Sequence, residues 1–319
     1  MKHFLLIALL AGLLGVHSAH AQTNACEHVF DDANAYTAEF FDRTLAQIDN
    51  GVIPWESTDW EGLVLRVVAS SEFYLNHCTN ANSPLSEQPD TVDALAAQSQ
   101  ILPPVESVDV GGDFGTVTLA ANYTPSTQFA DLNGDGADEL ILHTQVPYFS
   151  DATVYGIRGG LSIAFFLTED GWQGQVITPV TEFVTTQEGP HLTYAQIDTN
   201  SLSVTAADQA LNVLPGPQVE VVEAADGTPL TFVTESFVTP AGEAKELDVI
   251  TWDGRIPSVA LRVSFDDWCY PGQPLTWEIG ADGSVFVPSN GNEEGSPLHC
   301  GRTPEARYEW ADGAYTLAS

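Results

Sequence analysis

The stretch Asp131-Leu132-Asn133-Gly134-Asp135-Gly136-Ala137-Asp138-Glu139 carries oxygen-bearing side chains at its first, third, fifth and ninth positions. Calcium is a hard cation that takes about six to eight oxygen ligands at about 2.3–2.6 Å. Alternate residues of a tightly curled loop can turn inward together and meet one ion. The spacing therefore predicts a calcium-binding loop over residues 131–139.

The predicted ligand set combines side-chain and main-chain oxygens. The side chains of Asp131, Asn133 and Asp135 supply three of the ligands. Ala137 offers its carbonyl, which any residue type can do, and Glu139 completes the sphere directly or through a water that it holds. With three carboxylates and no bidentate Glu, we expect weak affinity, about 10⁻⁴–10⁻³ M, as in other extracellular modules.

Two further positions shape the loop. Gly136, at the sixth position, allows a sharp backbone bend, and Asp138 is expected to point outward. The loop is not an EF-hand, because that motif needs a bidentate Glu at position 12, where this chain has Leu142. A dockerin-like loop is excluded for the same reason.

The loop closely resembles the FG-GAP/VCBS type of repeat, in which D-x-N-x-D-G-x-[DP]-[DE]-L feeds straight into a strand. Here Leu140-Ile141-Leu142 leads out as that strand. The resemblance covers about residues 129–177 and is looser after Leu142, where Gly159-Gly160 precedes an apolar run and Asp170-Gly171. It implies a loop between two strands of a propeller blade, as in integrin-α-like propellers, with a mainly structural calcium ion. One such loop is present in this sequence.

The rest of the chain after Pro104 predicts hairpins. β-branched and aromatic runs alternate with turn residues; the runs are Thr116–Tyr123, Leu140–Val146, Leu161–Leu167, Val219–Val222, Leu230–Val233 and Val259–Phe265. Asp-Gly dipeptides favour tight hairpin turns, and they recur at Asp170-Gly171, Asp226-Gly227, Asp253-Gly254, Asp282-Gly283 and Asp312-Gly313. Trp252, Trp277 and Trp310 each end a strand just before such a turn, and two such hairpins would make a four-stranded sheet. The predicted fold is mainly β, as a partial or small propeller-like array or a β-sandwich.

The segment before Pro104 predicts a helical hairpin over residues 26–78. Apolar residues recur at helical spacing from Val29 to Ile48, and Asn50-Gly51 is a stop signal. Thr58-Asp59-Trp60-Glu61 is a capping box that opens a second helix. Residues 90–99 predict one short further helix. The domain division that follows is 22–104 for the helical part and 105–319 for the β part.

The four cysteines predict disulfides. They are Cys26, Cys78, Cys269 and Cys300, and an even count in an exported chain is typical of a bridged one. Three pairings are possible, and we favour Cys26–Cys78 with Cys269–Cys300, since two antiparallel helices of similar length bring the first two together. Zinc is the alternative, because His residues neighbour several of the cysteines, but no C-x-x-C spacing occurs.

Export is predicted from the first residues. Lys2 precedes an apolar run from Phe4 to Val16, and Ala19-His20-Ala21 fits the small-x-small cleavage rule. The signal peptide is therefore predicted at residues 1–21, and the protein in the periplasm, outside the cell or at the cell surface. With 9 Lys+Arg against 44 Asp+Glu, the surface repels nucleic acid and anionic lipid, and no other apolar run predicts a membrane span.

No catalytic motif is present, and we single out no catalytic residue. The histidines His28, His77, His143, His191 and His299 form no recognisable pattern and are expected at the surface or at strand ends. Tryptophans can stack on sugars, but beside hairpin turns they usually pack a core, so Trp172 is the one expected to be exposed. The predicted function is binding, adhesion or scaffolding toward a protein or glycan ligand. The alternative is a secreted hydrolase using carboxylates such as Asp266-Asp267.

Overall fold

The computed structural model describes fourteen segments of the 319-residue chain. These are residues 25–50, 60–99, 107–109, 116–118, 125–144, 148–149, 157–158, 161–177, 182–186, 189–193, 217–239, 242–266, 276–288 and 305–318. The predicted signal peptide, the capping residue Thr58 and the predicted Cys269–Cys300 pair lie outside the described residues.

In the described part of the chain, a helical turn at residues 25–27 and three longer α-helices precede the strands, and the longer helices lie where the sequence predicts them. They are α1 (Asp31–Asp49), α2 (Trp60–His77) and α3 (Pro89–Gln98), with a 3-10 turn at Leu85–Glu87 between the last two. Arg66 of α2 hydrogen-bonds Asp32 of α1, and its guanidinium lies 4.3 Å from the centre of the Tyr36 ring. A cation over an aromatic face is attractive, so one arginine ties the two helices side by side.

A disulfide closes this helical hairpin. Cys26 and Cys78 are bonded, with their Cα atoms 5.6 Å apart, which confirms the favoured pairing. Cys78 directly follows the last residue of α2. Because both sulfurs are in the bond, neither thiol is available to a zinc ion.

Eighteen strands are described, and all of their pairings are antiparallel. The helix-facing sheet contains β3 (Ser126–Ala130), β4 (Glu139–Thr144), β7 (Leu161–Thr168) and β8 (Gly171–Val176). The central sheet contains β11 (Gln218–Glu223), β12 (Pro229–Thr239), β13 (Gly242–Asp253) and β14 (Ile256–Asp266). The C-terminal sheet contains β15 (Glu278–Ile279), β16 (Val285–Val287), β17 (Ala306–Ala311) and β18 (Ala314–Leu317). Three two-stranded ribbons pair β1 (Ser107–Asp109) with β2 (Thr116–Thr118), β5 (Tyr148–Phe149) with β6 (Ile157–Arg158), and β9 (Glu182–Thr186) with β10 (Gly189–Thr193).

The predicted hairpin turns are confirmed. Every Asp-Gly dipeptide named above connects two strands that pair with each other, and its glycine has a positive φ; these glycines are Gly171, Gly227, Gly254, Gly283 and Gly313. Residues with a Cβ rarely adopt such φ values, which is why glycine marks these turns in the sequence. Asp312 also has a positive φ, of 53°, as a two-residue hairpin with both central residues left-handed requires.

The layers stack in chain order. Alternate residues of a strand point to opposite faces of its sheet, so one strand can serve two cores. In the helix-facing sheet Leu140, Leu142 and Phe165 pack under the helices, whereas Ile141, Ala164 and Phe166 pack on the central sheet. The central sheet likewise presents a second apolar face to the C-terminal sheet; that core contains Leu230, Phe232, Leu247, Val249, Val285 and Val287.

Two of the sheets begin with the same turn. Ala224 N–H donates to Thr228 O at 2.8 Å in the first hairpin of the central sheet, and Gly280 N–H donates to Ser284 O at 2.8 Å in that of the C-terminal sheet. In the same two turns, Gly227 N–H donates to Ala224 O and Gly283 N–H donates to Gly280 O, each at 2.9 Å. The hairpins at Asp282-Gly283 and Asp312-Gly313 together form one four-stranded sheet, as the sequence predicted.

Trp172 is buried, with 3% of its surface exposed, so the expectation that it is exposed was wrong. The residue sits on an outer strand, but α2 covers the face of β8 on which the indole lies. Trp252, Trp277 and Trp310 are partly buried against the cores between the sheets, as predicted. The sequence near Trp172 carries no signal of α2, which is about a hundred residues away.

A buried ion cluster lies on the central sheet. Arg262 donates to both oxygens of Asp248, at 2.9 and 3.1 Å, and its Nε lies 3.1 Å from Glu246. Both acids are buried. Leaving a buried carboxylate without a partner is costly, so this arginine offsets two acids at once.

None of the described helices combines the length and the apolar character that crossing a bilayer requires.

Opening the Cys26–Cys78 bridge is expected to destabilise the protein. The bridge joins residues 52 apart in sequence, and the chain-entropy model gives about 4 kcal/mol for a loop of that size. C26S/C78S protein should therefore unfold at lower denaturant than wild type, with the helical signal lost first. In C269S/C300S protein only Cys26 and Cys78 remain, so reducing it opens this bridge alone and should lower the stability by the same amount. Equal denaturant midpoints for C26S/C78S and wild-type protein would contradict the expectation.

Candidate metal site and its surroundings

The predicted calcium loop connects β3 to β4. Its second residue, Leu132, is fully buried in the core between the helix-facing and central sheets. Residues 134–138, in contrast, are exposed. A Cβ placed on Gly134 would lie 3.1 Å from Cγ of Pro229 in the central sheet. The loop is therefore anchored at its start, pressed against the next sheet, and open to solvent along its outer part.

Asp131 organises the first half of the loop. Its Oδ1 accepts the N–H of Gly134 at 2.8 Å, and its Oδ2 accepts the N–H of Gly136 at 3.0 Å. Both glycines have positive φ, of 76° and 87°. The chain therefore curls around the Asp131 carboxylate, and the bend predicted at Gly136 is present.

Asn133 and Asp135 continue the curl. Asn133 Oδ1 accepts the N–H of Asp135 at 2.9 Å, and Asp135 Oδ1 accepts the N–H of Ala137 at 2.8 Å. The Asn133 amide also donates to Asp135 Oδ2 at 3.1 Å. Three of the predicted ligand side chains thus face the loop's own backbone, while Asp138 is exposed, as expected.

Glu139 is the buried member of the set, with 4% of its surface exposed. Its Oε2 accepts the N–H of Leu132 at 2.7 Å, which ties the two ends of the loop together. Burial raises the pKa of the Glu139 carboxyl to about 7, and the negative charges of Asp135, Asp131 and Asp138 act in the same direction against the Leu132 hydrogen bond. The site therefore has an excess of negative charge around a carboxyl group that is largely removed from water.

The donors fit calcium by chemistry, since all five predicted ligands offer oxygen. In the described part of the chain, however, no three His, Cys, Asp or Glu side chains are arranged to hold a metal ion. The three carboxylates of the predicted ligand set are instead turned toward backbone N–H groups. Binding would thus require the carboxylates to rotate toward a common centre while the loop keeps its curl.

A buried polar network that the sequence did not reveal lies on the same strand as Glu139. His143 has 4% of its surface exposed, so its expected place at the surface was wrong, although it lies near the end of β4. Its Nδ1 lies 2.7 Å from Ser162 Oγ, and its Nε2 lies 3.2 Å from Gln128 Oε1. No spacing in the sequence links these residues, because the register of three different strands brings them together.

The Gln128 amide fixes the direction of these bonds. Its Nε2 donates to the carbonyl of Val219 at 2.9 Å, so Oε1 is the acceptor that faces His143. The imidazole therefore carries its proton on Nε2, and Nδ1 accepts the Ser162 hydroxyl proton. Since Val219 belongs to β11, this network joins the helix-facing sheet to the central sheet.

A serine within hydrogen-bond reach of a histidine is one element of nucleophilic catalysis. Here both side chains are buried beneath the central sheet, and burial lowers the pKa of His143 to about 4. A base with so low a pKa is poorly matched to neutral pH. The pair therefore serves packing between sheets.

No protein-family model matches this chain, and no curated protein and no solved structure matches it either.

His143 is expected to make the protein acid-sensitive. Its pKa is depressed to about 4 in the folded state and is about 6.5 when unfolded, so the unfolded chain binds the extra proton first. The free energy of unfolding should be unaffected by this group above about pH 6.5 and fall by about 3 kcal/mol between there and pH 4. Urea titrations across that range check the slope.

The carboxylates also titrate in acid, so the comparison variant is His143→Gln, which keeps polar atoms for Ser162 and Gln128. Its stability should fall less steeply than that of wild type between pH 6.5 and 4. Parallel pH profiles for the two proteins would show that His143 is not the group responsible.

Proposed function

We propose that this is an exported calcium-binding β-repeat protein, a binding or scaffold module in which calcium is structural and is held by the loop 131–139. The observation that carries the proposal is Glu139, a buried carboxylate surrounded by other acids. Among the residues that the structure describes, no basic side chain pairs with it.

The central sheet shows how this chain treats two of its other buried acids. There Asp248 and Glu246 share Arg262. A buried charge without a counter-ion is strongly disfavoured, and among the described residues the one hydrogen-bond donor to Glu139 is the backbone N–H of Leu132. A bound cation would supply at the loop what Arg262 supplies in the central sheet.

The residues of this chain that would hold the ion are the side chains of Asp131, Asn133, Asp135 and Glu139 and the carbonyl of Ala137. Calcium would supply positive charge there, and the oxygens of these residues would coordinate it. It would bring no redox or bond-breaking chemistry. The loop's two anchors, Leu132 in the inter-sheet core and Gly134 against Pro229, favour a structural role, because a loop held rigid would also hold the contact between two sheets.

The sheets are propeller-like blades in this proposal. Each four-stranded sheet packs face to face on the next, and the first turns of two of them make the same hydrogen bonds. The FG-GAP/VCBS resemblance implies a calcium loop between two neighbouring strands of a blade. The loop 131–139 connects the paired strands β3 and β4, which agrees with that expectation. A β-sandwich would use two sheets and explains the third less well.

Export and binding follow from different observations. The signal-like first residues and the Cys26–Cys78 bridge favour a compartment that oxidises thiols. The net charge of −35 favours cationic or calcium-bridged contacts with a protein or glycan at the cell surface, in the periplasm or outside the cell.

Calcium is expected to raise the melting temperature. With a dissociation constant of about 0.3 mM, calcium at about 10 mM stabilises the native state by about 2 kcal/mol, or a few degrees. D131N/D135N protein should lose this response, because it removes two of the three carboxylates. Calorimetric scans with calcium and with chelator measure the shift, and titration calorimetry measures binding itself.

The matched control is D138N/D170N, which removes the same charge from two exposed acids outside the predicted ligand set. It should keep the calcium response of wild type. If both double variants respond alike, calcium acts on the general acidic surface and the loop is not the site. If wild type shows neither heat of binding nor a shift, the proposal fails.

A further inference from the structure

The outer edge of β8 is an unusual feature of the helix-facing sheet. β8 is the last strand in the order β3-β4-β7-β8, so none of the described strands lies along one side of its backbone. Ile177 N–H donates inward, to Ser162 O at 2.8 Å. Because N–H groups alternate along a strand, those of Trp172, Gly174 and Val176 point outward at this edge.

Side chains of α2 bond two of these three outward groups, those of Trp172 and Gly174. Asn76 Oδ1 accepts the N–H of Trp172 at 2.7 Å, and Asn76 Nδ2 donates to the carbonyl of Trp172 at 2.8 Å. Glu72 Oε1 accepts the N–H of Gly174 at 2.7 Å. A carboxamide that both accepts from and donates to one residue copies the bond pair that a neighbouring antiparallel strand would make.

The strand itself carries none of the usual protection against pairing. Exposed edges are commonly blunted by charged residues, prolines or bulges. β8 has the sequence Gly-Trp-Gln-Gly-Gln-Val and contains neither charge nor proline. The outer strands of the central sheet differ: β11 contains Glu220 and Glu223, and β14 contains Pro257 and Arg262. Protection of β8 therefore depends on α2.

The sequence of β8 is also complementary to itself. In an antiparallel pair centred on Gly174, Trp172 of one copy lies opposite Val176 of the other, and Gln173 lies opposite Gln175. Aromatic residues opposite β-branched residues stabilise antiparallel pairs, and the amides can bond each other. The outward N–H groups of residues 172, 174 and 176 then all face the second copy.

We propose that β8 is a self-association surface of this protein, which α2 keeps closed through Glu72 and Asn76. When these two side chains are withdrawn, a second copy of the chain pairs with β8 in antiparallel register about Gly174. The interface is isologous, since the same strand serves both copies, and it closes as a dimer. Copies with a net charge of −35 repel one another, so the pairing strengthens as salt screens that repulsion.

The test compares E72A/N76A with wild type and with E72Q, which removes the same charge but keeps an acceptor for Gly174. Sedimentation velocity at about 0.15 M salt should show monomers for wild type and E72Q, and a dimer association constant higher by about tenfold or more for E72A/N76A. Hydrogen exchange at residues 172–176 should become faster in dilute E72A/N76A protein and slower again as dimer forms.

A second pair of substitutions tests the register. Adding Q173E and Q175E to E72A/N76A places carboxylates opposite each other in the dimer, and like charges in that position repel. The added glutamate at 173 keeps an acceptor for Arg255, which bonds Gln173 in the native protein. This variant should return to monomer.

Two outcomes overturn the proposal: E72A/N76A protein that stays monomeric at all salt concentrations, and association that the added glutamates do not reverse. Should E72A/N76A fail to fold, N76D takes its place, because it loses the donor to the Trp172 carbonyl and keeps the acceptor. N76D must then dimerise more than wild type, and equal association constants reject the self-association surface.

Discussion

Both faces of the central sheet carry apolar residues that must be covered from water. Val233 and Ile250 point toward the helix-facing sheet, whereas Leu230, Phe232 and Val249 point toward the C-terminal sheet. Burying apolar surface stabilises roughly in proportion to the area removed from water, so the sheets on either side follow from this one. The helix-facing sheet then has a second apolar face of its own, and the helices cover it. The order of layers is the consequence of each sheet needing a cover for both sides.

Positive charge is scarce in this chain, and its distribution explains two features of the interior. With 9 basic residues against 44 acidic ones, most acids must be solvated or bonded to the backbone. Arg262 forms ion pairs with two buried acids of the central sheet. Asp131 and Asp135 instead accept N–H groups of their own loop. Glu139 combines burial with acidic neighbours, and that combination is the observation behind the cation proposed for the loop.

The helical hairpin has a role in this arrangement that composition does not show. Its α2 buries Trp172 and bonds the outward N–H groups of Trp172 and Gly174 through Asn76 and Glu72. The bridge between Cys26 and Cys78 joins the ends of the hairpin close to Asn76. Buried or half-buried backbone groups need partners, and here side chains of a helix provide them where a further strand would do so in a larger sheet. The hairpin and the sheet therefore share one core across the predicted division of the chain near residue 104.

Local features of the sequence determined the elements themselves. Asp-Gly dipeptides marked five turns because glycine tolerates positive φ, apolar spacing marked the helices, and the count and placement of cysteines marked the Cys26–Cys78 bridge. The predicted metal ligands could be chosen from the sequence because they lie within nine consecutive residues, where spacing and backbone curl are local properties. The burial of Glu139, which carries the proposal for that site, was not visible there.

The features that only the tertiary structure decided depend on contacts between segments that are distant in the sequence. The pairing of His143 with Ser162 and Gln128 needs the register of three strands, the burial of Trp172 needs α2, and the sharing of Arg262 needs β13 beside β14. Each of these residues has an ordinary local sequence, and its surroundings come from chain that is between 14 and 96 positions away. Periodicity and turn signals act over a few residues, whereas burial and charge compensation act through space, so the first could be predicted from the sequence and the second required the fold.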